Sequence, residues 1–164
     1  MGRPREAIAA RQRAYAGHRD AADHERAAHA AWKLFHSHFE LNETALASGW
    51  LNRAHRHIAE APNSVERGYV AIAAAMWSRF TGDLDDAVAQ ATLSHEVGHA
   101  EHDLNLATWG LAVRGGMLAA RSDIATGVAL LDEAMVETVS GELSPSSPAG
   151  SPATFSRPAR HSAM

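Results

Sequence analysis

Apolar residues along this chain recur every three or four positions and almost nowhere every two. That spacing gathers them on one face of an α-helix and leaves polar residues opposite. From Ala21 to Phe39 the apolar face holds Ala28, Ala31, Trp32, Phe35 and Phe39. Asn42 and Glu43 interrupt it, and a second helix is predicted from Thr44 to Glu60 on Leu46, Trp50, Leu51, Ala54 and Ile58, ended by Pro62 and Asn63. A third runs from about Val65 to Phe80 and stops at Gly82, whose missing Cβ suits the left-handed residue past a helix end. Asp83 caps a fourth, Leu84 to about Gly98, with Asp85 and Asp86 in the first turn against the positive end of the dipole. A polar loop around Ala100 to Asp103 leads to a fifth helix, Leu104 to Ala120, and Asp123 caps a sixth, Ile124 to Val139. The stretch before Gly17 reads as a further, partial helix. The expected class is all-α.

Shifting the chain by 40 residues lays the third and fourth helices on the fifth and sixth. Asp83 falls on Asp123, Leu84 on Ile124 and Val88 on Val128. Tyr69 falls on Trp109, Ala75 on Gly115, Ala87 on Gly127 and Ser94 on Ala134. Small residues recur where antiparallel helices would cross, and large ones where they would fill the groove between pairs. A helical hairpin hides only one of its sides, so stacking neighbours completes the core.

Three segments, ALASGWLNRAHRHIAEAP, ERGYVAIAAAMWSRFTGDLDDAVAQA and GVALLDEAMVETVSGELSP, resemble the C-terminal tetratricopeptide-like repeat region of large actinobacterial transcriptional regulators of the LuxR-type and cyclase-linked ATPase kind. The most specific part is Leu130 to Met135 followed by Gly141, Glu142, Leu143, Ser144 and Pro145. The resemblance spans residues 30–145 and implies an α-solenoid of antiparallel hairpins, within a helical-repeat domain expected over residues 1–145, acting without catalysis as a protein-interaction or sensing module through a concave face. Its partner would be another protein or other domains of a regulator. No P-loop pattern and no DNA-binding helix-turn-helix is present, so the ATPase and DNA-binding parts of such regulators are missing here.

The resemblance stops at Ser146. Residues 146–164 are Ser/Pro/Ala-rich, with Pro148, Pro152 and Pro158 opposing a helix. Two accounts stand open: a naturally disordered tail, or a shifted reading frame, since codon degeneracy lets the neighbouring frame continue an apolar helix.

Composition narrows the function classes. Zero cysteines exclude disulfides and thiolate metal sites. No apolar run reaches membrane-spanning length, and the N-terminus lacks the apolar core of a signal peptide, which together point to a cytoplasmic protein. Residues 1–60 carry 9 basic and 7 acidic side chains, while residues 61–145 carry 4 and 12. The acidic centre would repel a phosphate backbone, so no nucleic acid is expected as a partner of this chain.

One motif points elsewhere. His95, Glu96, Val97, Gly98 and His99 spell HExxH, in which two histidines one turn apart bind zinc and the Glu activates water. The alternative function is therefore a small zinc-dependent metallopeptidase with Glu96 as base and zinc as cofactor. A third ligand is needed: His102 shares a helix face with His95 and His99 only if the helix persists, and Glu133 and Glu137 are distant candidates. The longer metzincin pattern fails at His102 and Asn105. Read as structure, the pentapeptide is the exposed end of a repeat helix loosened by Gly98, and the expectation is no catalytic residue, no metal and no cofactor. His36 with His38 and His55 with His57, two apart, point to different sides of a helix and do not chelate. They read as surface or groove residues. Trp32, Phe35, Phe39, Trp50, Tyr69, Trp77, Phe80 and Trp109 are expected to be core rather than a ligand box. Ser64, Ser78 and Ser94 lack a nucleophile's context, and Asp83, Asp85 and Asp86 lack the glycine and terminal Glu of a calcium loop.

Overall fold

A computed structural model describes residues 3–143. The described residues form seven helices and no strand: α1 (Arg3–Asp20), α2 (His24–Glu40), α3 (Thr44–Glu60), α4 (Glu66–Thr81), α5 (Leu84–Ala100), α6 (Leu104–Ala120) and α7 (Ile124–Leu143). The fold is all-α, as the periodicity predicts. None of these helices is long and apolar enough to cross a membrane. The domain boundary expected at Ser146 and both accounts of the tail lie outside the described residues.

One turn recurs along the chain. Ala22, Asn42, Gly82, His102 and Ser122 all have positive φ, at steps that are multiples of twenty residues. Each follows the end of a helix, and the next residue's N–H reaches back to a carbonyl five positions earlier: Asp23 to His18 (2.9 Å), Glu43 to His38 (2.9 Å), Asp83 to Ser78 (2.8 Å), Asp103 to Gly98 (2.9 Å) and Asp123 to Leu118 (3.1 Å). This is the Schellman closure of a helix C-terminus. The residue that closes one helix is also the N-cap of the next. Asp23, Asp83, Asp103 and Asp123 each accept the N–H three positions on, at 3.1, 3.0, 3.0 and 3.4 Å. Glu43 makes no such cap, because its carboxylate is held by His38 (2.6 Å) and Arg5 (3.2 Å) instead. The beat falters once, at Pro62, whose ring fixes φ near −65° and cannot supply the left-handed residue. There α4 starts late, at Glu66, after a wider turn.

The turn corrects several predicted boundaries. The first complete apolar helix begins at His24, not Ala21, and the partial helix before Gly17 is a full α1 that runs through Gly17 to Asp20. A lone glycine weakens a helix without ending it; the left-handed Ala22 and the Asp23 cap are what end α1. Likewise α5 continues past Gly98 to Ala100, and α7 past Val139 to Leu143.

Consecutive helices pack antiparallel across these short turns. In addition α4 touches α2 and α6, so α2, α4 and α6 form one layer, while the backbones of α1, α3, α5 and α7 approach only their neighbours in sequence. This arrangement is compatible with the expected stack of hairpins. Small residues sit at the crossings: Ala75, Gly115, Ala87, Gly127, Ser94 and Ala134, the pairs that the 40-residue offset relates, are all buried. Large residues fill the spaces between hairpins, with Phe35, Leu34, Ile72, Leu106 and Leu111 among the most enclosed. Four residues expected inside lie outside, among them Ile124 and Val128 of α7, 63% and 47% exposed because α7 packs only against α6. Leu46 is exposed because α3 packs only against α2 and α4, and Phe80, 56% exposed, lies on the rim against Phe39 and Trp77.

Gly98 is a place of contact rather than a weak turn. A Cβ there would run into the backbone N of Ala107 on α6. We therefore expect Gly98→Ala to destabilise the chain by more than about 2 kcal/mol, since backbone must shift. Ala22→Gly should stabilise by about 1 kcal/mol by relieving the left-handed alanine. Helix propensity alone gives the opposite order, so chemical denaturation of the two variants separates the accounts.

Candidate interaction surface on the α2, α4 and α6 layer

The HExxH residues fall on α5 where it lies against α6. His95 is half-buried, and its Nδ1 is 2.9 Å from the carbonyl oxygen of Ala107, which makes that nitrogen the donor and leaves Nε2 as the lone pair. His99 meets its ring edge-on at 4.4 Å between centroids. The helix thus continues through both histidines, and the looseness expected at Gly98 is not found. His102, however, sits in the turn with φ 57°, off the α5 face, so the three-histidine arrangement does not form. Glu96 is exposed, and Glu137 is engaged by Thr108 at 3.2 Å. No group of three or more His, Asp or Glu suited to a metal occurs among the described residues. Ser64 accepts the Glu66 N–H, Ser78 donates to Asp86, and Ser94 is fully buried without a base beside it.

The other histidines are more involved than the sequence suggests. His38, only 4% exposed, holds Glu43 in the α2–α3 turn, and this hydrogen bond keeps the Glu43 carboxyl below the usual range. His57 joins three helices: Nε2 lies 3.1 Å from the Tyr15 hydroxyl of α1, and Nδ1 lies 3.2 Å from Nδ1 of His24 in α2. Burial first, then the charge of His24 and of Arg56 and Arg19, lower its pKa from the ordinary value. His55, on the same helix, is exposed.

The layer of α2, α4 and α6 carries a row of rings. Trp32 of α2 stacks on Tyr69 of α4 at 5.1 Å with 10° between planes, and His36 lies between Trp32 and Trp109 of α6, 5.8 Å from the latter. Two of these rings, Trp32 and Tyr69, are tied by their polar atoms. Trp32 Nε1 donates to Glu66 (2.8 Å), His29 shares the same carboxylate (2.8 Å), and the Tyr69 hydroxyl donates to Asp103 (2.7 Å). Burial, then the Asp103 bond, push the Tyr69 hydroxyl well above the usual phenol range, so it remains a donor. Of the expected aromatic core, only Trp32 and Phe35 are buried; Phe39, Trp50, Tyr69, Trp77 and Trp109 are half-buried and Phe80 is exposed.

Beside this row, α1, α2 and the start of α4 enclose a hollow of about 550 Å³. Arg11, Arg26 and Lys33 line it with His18 and His29; its two carboxylates are Glu25 and Glu66, the latter already engaged by His29 and Trp32. Sequence reasoning passed over this basic hollow. The available signal was spacing: Arg11 with His18, and Arg26 with His29 and Lys33, are three, four or seven apart and so share helix faces. The lining carries more basic than acidic groups, and Arg26 among them is paired with Asp23 at 3.4 Å. Comparison with known proteins returns nothing: no family model, no curated protein and no solved structure matches the chain.

Two expectations follow from the histidines. Because the folded pKa of His57 is depressed, the unfolded chain binds the extra proton first, so the His57 contribution is present above pH 6.5, its ordinary value, and is lost as pH falls through the folded value. Thermal unfolding at pH 7.5 and 5.5 should show a lower midpoint at about 5.5, a difference that His57→Gln narrows. For the HExxH residues, purified chain should hold no stoichiometric zinc by elemental analysis, and Glu96→Gln should shift stability by no more than about half a kcal/mol. One tight zinc per chain, together with peptide hydrolysis abolished by Glu96→Gln, would favour the peptidase reading.

Proposed function

We propose that the chain is a non-catalytic protein-interaction or sensing module, of the kind that accompanies the ATPase and DNA-binding parts in the regulators it resembles. Its partner is an acidic polypeptide segment, taken on the α2–α4 side of the inner layer. The observation that carries this reading is the hollow with Arg11, Arg26 and Lys33 at its wall and one of its two carboxylates already engaged. Cations beside low-dielectric walls attract an anionic chain and speed its arrival. Alongside, Tyr69 stacks on the buried Trp32, so the half-buried Tyr69 ring is the part of that stack open to a side chain flanking the acids. Lys33, whose ammonium group lies 5.7 Å from the Trp32 ring centroid, stands where both features meet.

The test uses peptides of one length and three net charges, immobilised and probed with the full chain. Acidic peptides should be retained and basic ones not. Lys33→Glu combined with Arg11→Glu should weaken retention about tenfold or more, and added salt should do the same. Equal retention of all three classes, or none of any, would remove the reading.

A further inference from the structure

The way α6 is held on the preceding hairpin is repeated, unfilled, at the far end of the stack. Three contacts hold α6. Leu106, fully buried, packs over Gly68 with Ile72 and Val97. The Tyr69 hydroxyl donates to Asp103, the α6 N-cap. The α6 backbone at Gly110 lies against Ala91 and His95 of α5.

Moving 40 residues on gives the corresponding positions of the last hairpin. Thr108, Ala112 and Glu137, in place of Gly68, Ile72 and Val97, surround a hollow of about 560 Å³. Trp109 replaces Tyr69 on its edge, and its indole N–H has no acceptor among the described residues. Leu131 and Met135 replace Ala91 and His95, and Met135 is 67% exposed on an α7 face that also bares Ile124, Val128 and Val139. The hollow, walled by Leu104, Trp109 and Ala112 with the Thr108–Glu137 hydrogen bond on one side, coincides with the donor for an acidic cap and with the apolar face.

We propose that this end is a seat for a helix of another protein, one that opens with a carboxylate N-cap and carries a large apolar residue three positions later, as Asp103 and Leu106 do in α6. The carboxylate accepts from Trp109, the apolar residue enters the hollow, and the helix lies along Met135. Residues 144–164 contain no Asp or Glu and do not carry this pattern. A second copy is the poorer occupant. Its Asp103–Leu106 pattern is already seated, with Leu106 fully buried and Asp103 bonded to Tyr69; Glu43, three residues before the exposed Leu46, is held by His38 and Arg5; and the large apolar residues of its α1, Ile8 and Tyr15, are buried in its own core.

A synthetic peptide of residues 103–143, labelled at its C-terminus, is the probe, since it carries the pattern already seated once in this fold. Titrating it with the full chain and reading fluorescence anisotropy should give saturable binding. Trp109→Phe, which keeps the ring and removes the N–H, should weaken binding about tenfold, the worth of one hydrogen bond to a charged group. Leu106→Asp in the peptide, or Met135→Glu in the full chain, should abolish it; Met135 is exposed, so circular dichroism of that variant should match the parent. Absence of saturable binding overturns the proposal. So does binding that survives Met135→Glu, which would mean the peptide replaces α6 and α7 on α4 and α5. Self-association of the chain alone in sedimentation, lost on Met135→Glu, would give the seat to a second copy and overturn the choice of occupant.

Discussion

The structure depends on a turn in which one residue ends a helix and begins the next. The backward hydrogen bond from Asp23, Glu43, Asp83, Asp103 or Asp123 satisfies a carbonyl that the helix end leaves open, and four of these side chains satisfy an amide that the next helix leaves open. With both accounts closed over three residues or fewer, the chain must reverse, and successive helices lie antiparallel. The turn demands a left-handed residue just before the cap. Only Gly82 meets that demand without strain; Ala22, His102 and Ser122 meet it at a cost of about 1 kcal/mol each, offset by the packing that the reversal allows.

Helices reversed so tightly approach closely, and the residues at the crossings follow from that. Gly98 against Ala107, Gly110 against His95 and Gly127 against Ala119 are backbone-to-backbone approaches that a Cβ would obstruct. A histidine can then sit at such a crossing only by turning along it, as His95 does toward the Ala107 carbonyl. The HExxH spelling therefore combines two demands of the crossing, a small residue at Gly98 and a ring one turn before His99, with an exposed Glu96 between them. A spacing that suits zinc also suits one helix lying on another.

Periodicity and caps made the helices legible, and the small residues related by the 40-residue offset are buried, because a close helix crossing and an acidic cap have few substitutes. The twenty-residue beat was not legible. Its marker is a backbone angle, and Ala, Asn, Gly, His and Ser occupy it without a common side-chain signature. Missing it displaced the start of α2 and cut α5 short. Gly17 and Gly98 misled for the same reason: a glycine reads as a helix end whether it serves a turn, a crossing or neither. The basic hollow was harder still, since Arg11, Arg26 and Lys33 meet only once α1 has folded back on α2. His38 and His57 were read as surface because spacing within one helix says nothing of Glu43 beyond the turn or Tyr15 on another helix.

One column of side chains links the surface to the stacking. His29, Tyr69 and Trp109 stand 40 residues apart on α2, α4 and α6. The first two each bond a carboxylate at the start of the following hairpin, Glu66 for His29 and Asp103 for Tyr69. The rings beside them, Trp32 and His36, line the inner layer. Glu66 belongs to both systems, since it joins α2 to α4 and also faces the basic hollow. Removing it would leave the Trp32 N–H and the His29 ring without an acceptor, and would also make the hollow more positive. Arg11 and Lys33 line the hollow together with Glu66, while Arg26 is paired with Asp23 at 3.4 Å. The carboxylate that seats α4 on α2 thus also lines the hollow, so the charge of the hollow and the joint between α2 and α4 share one group.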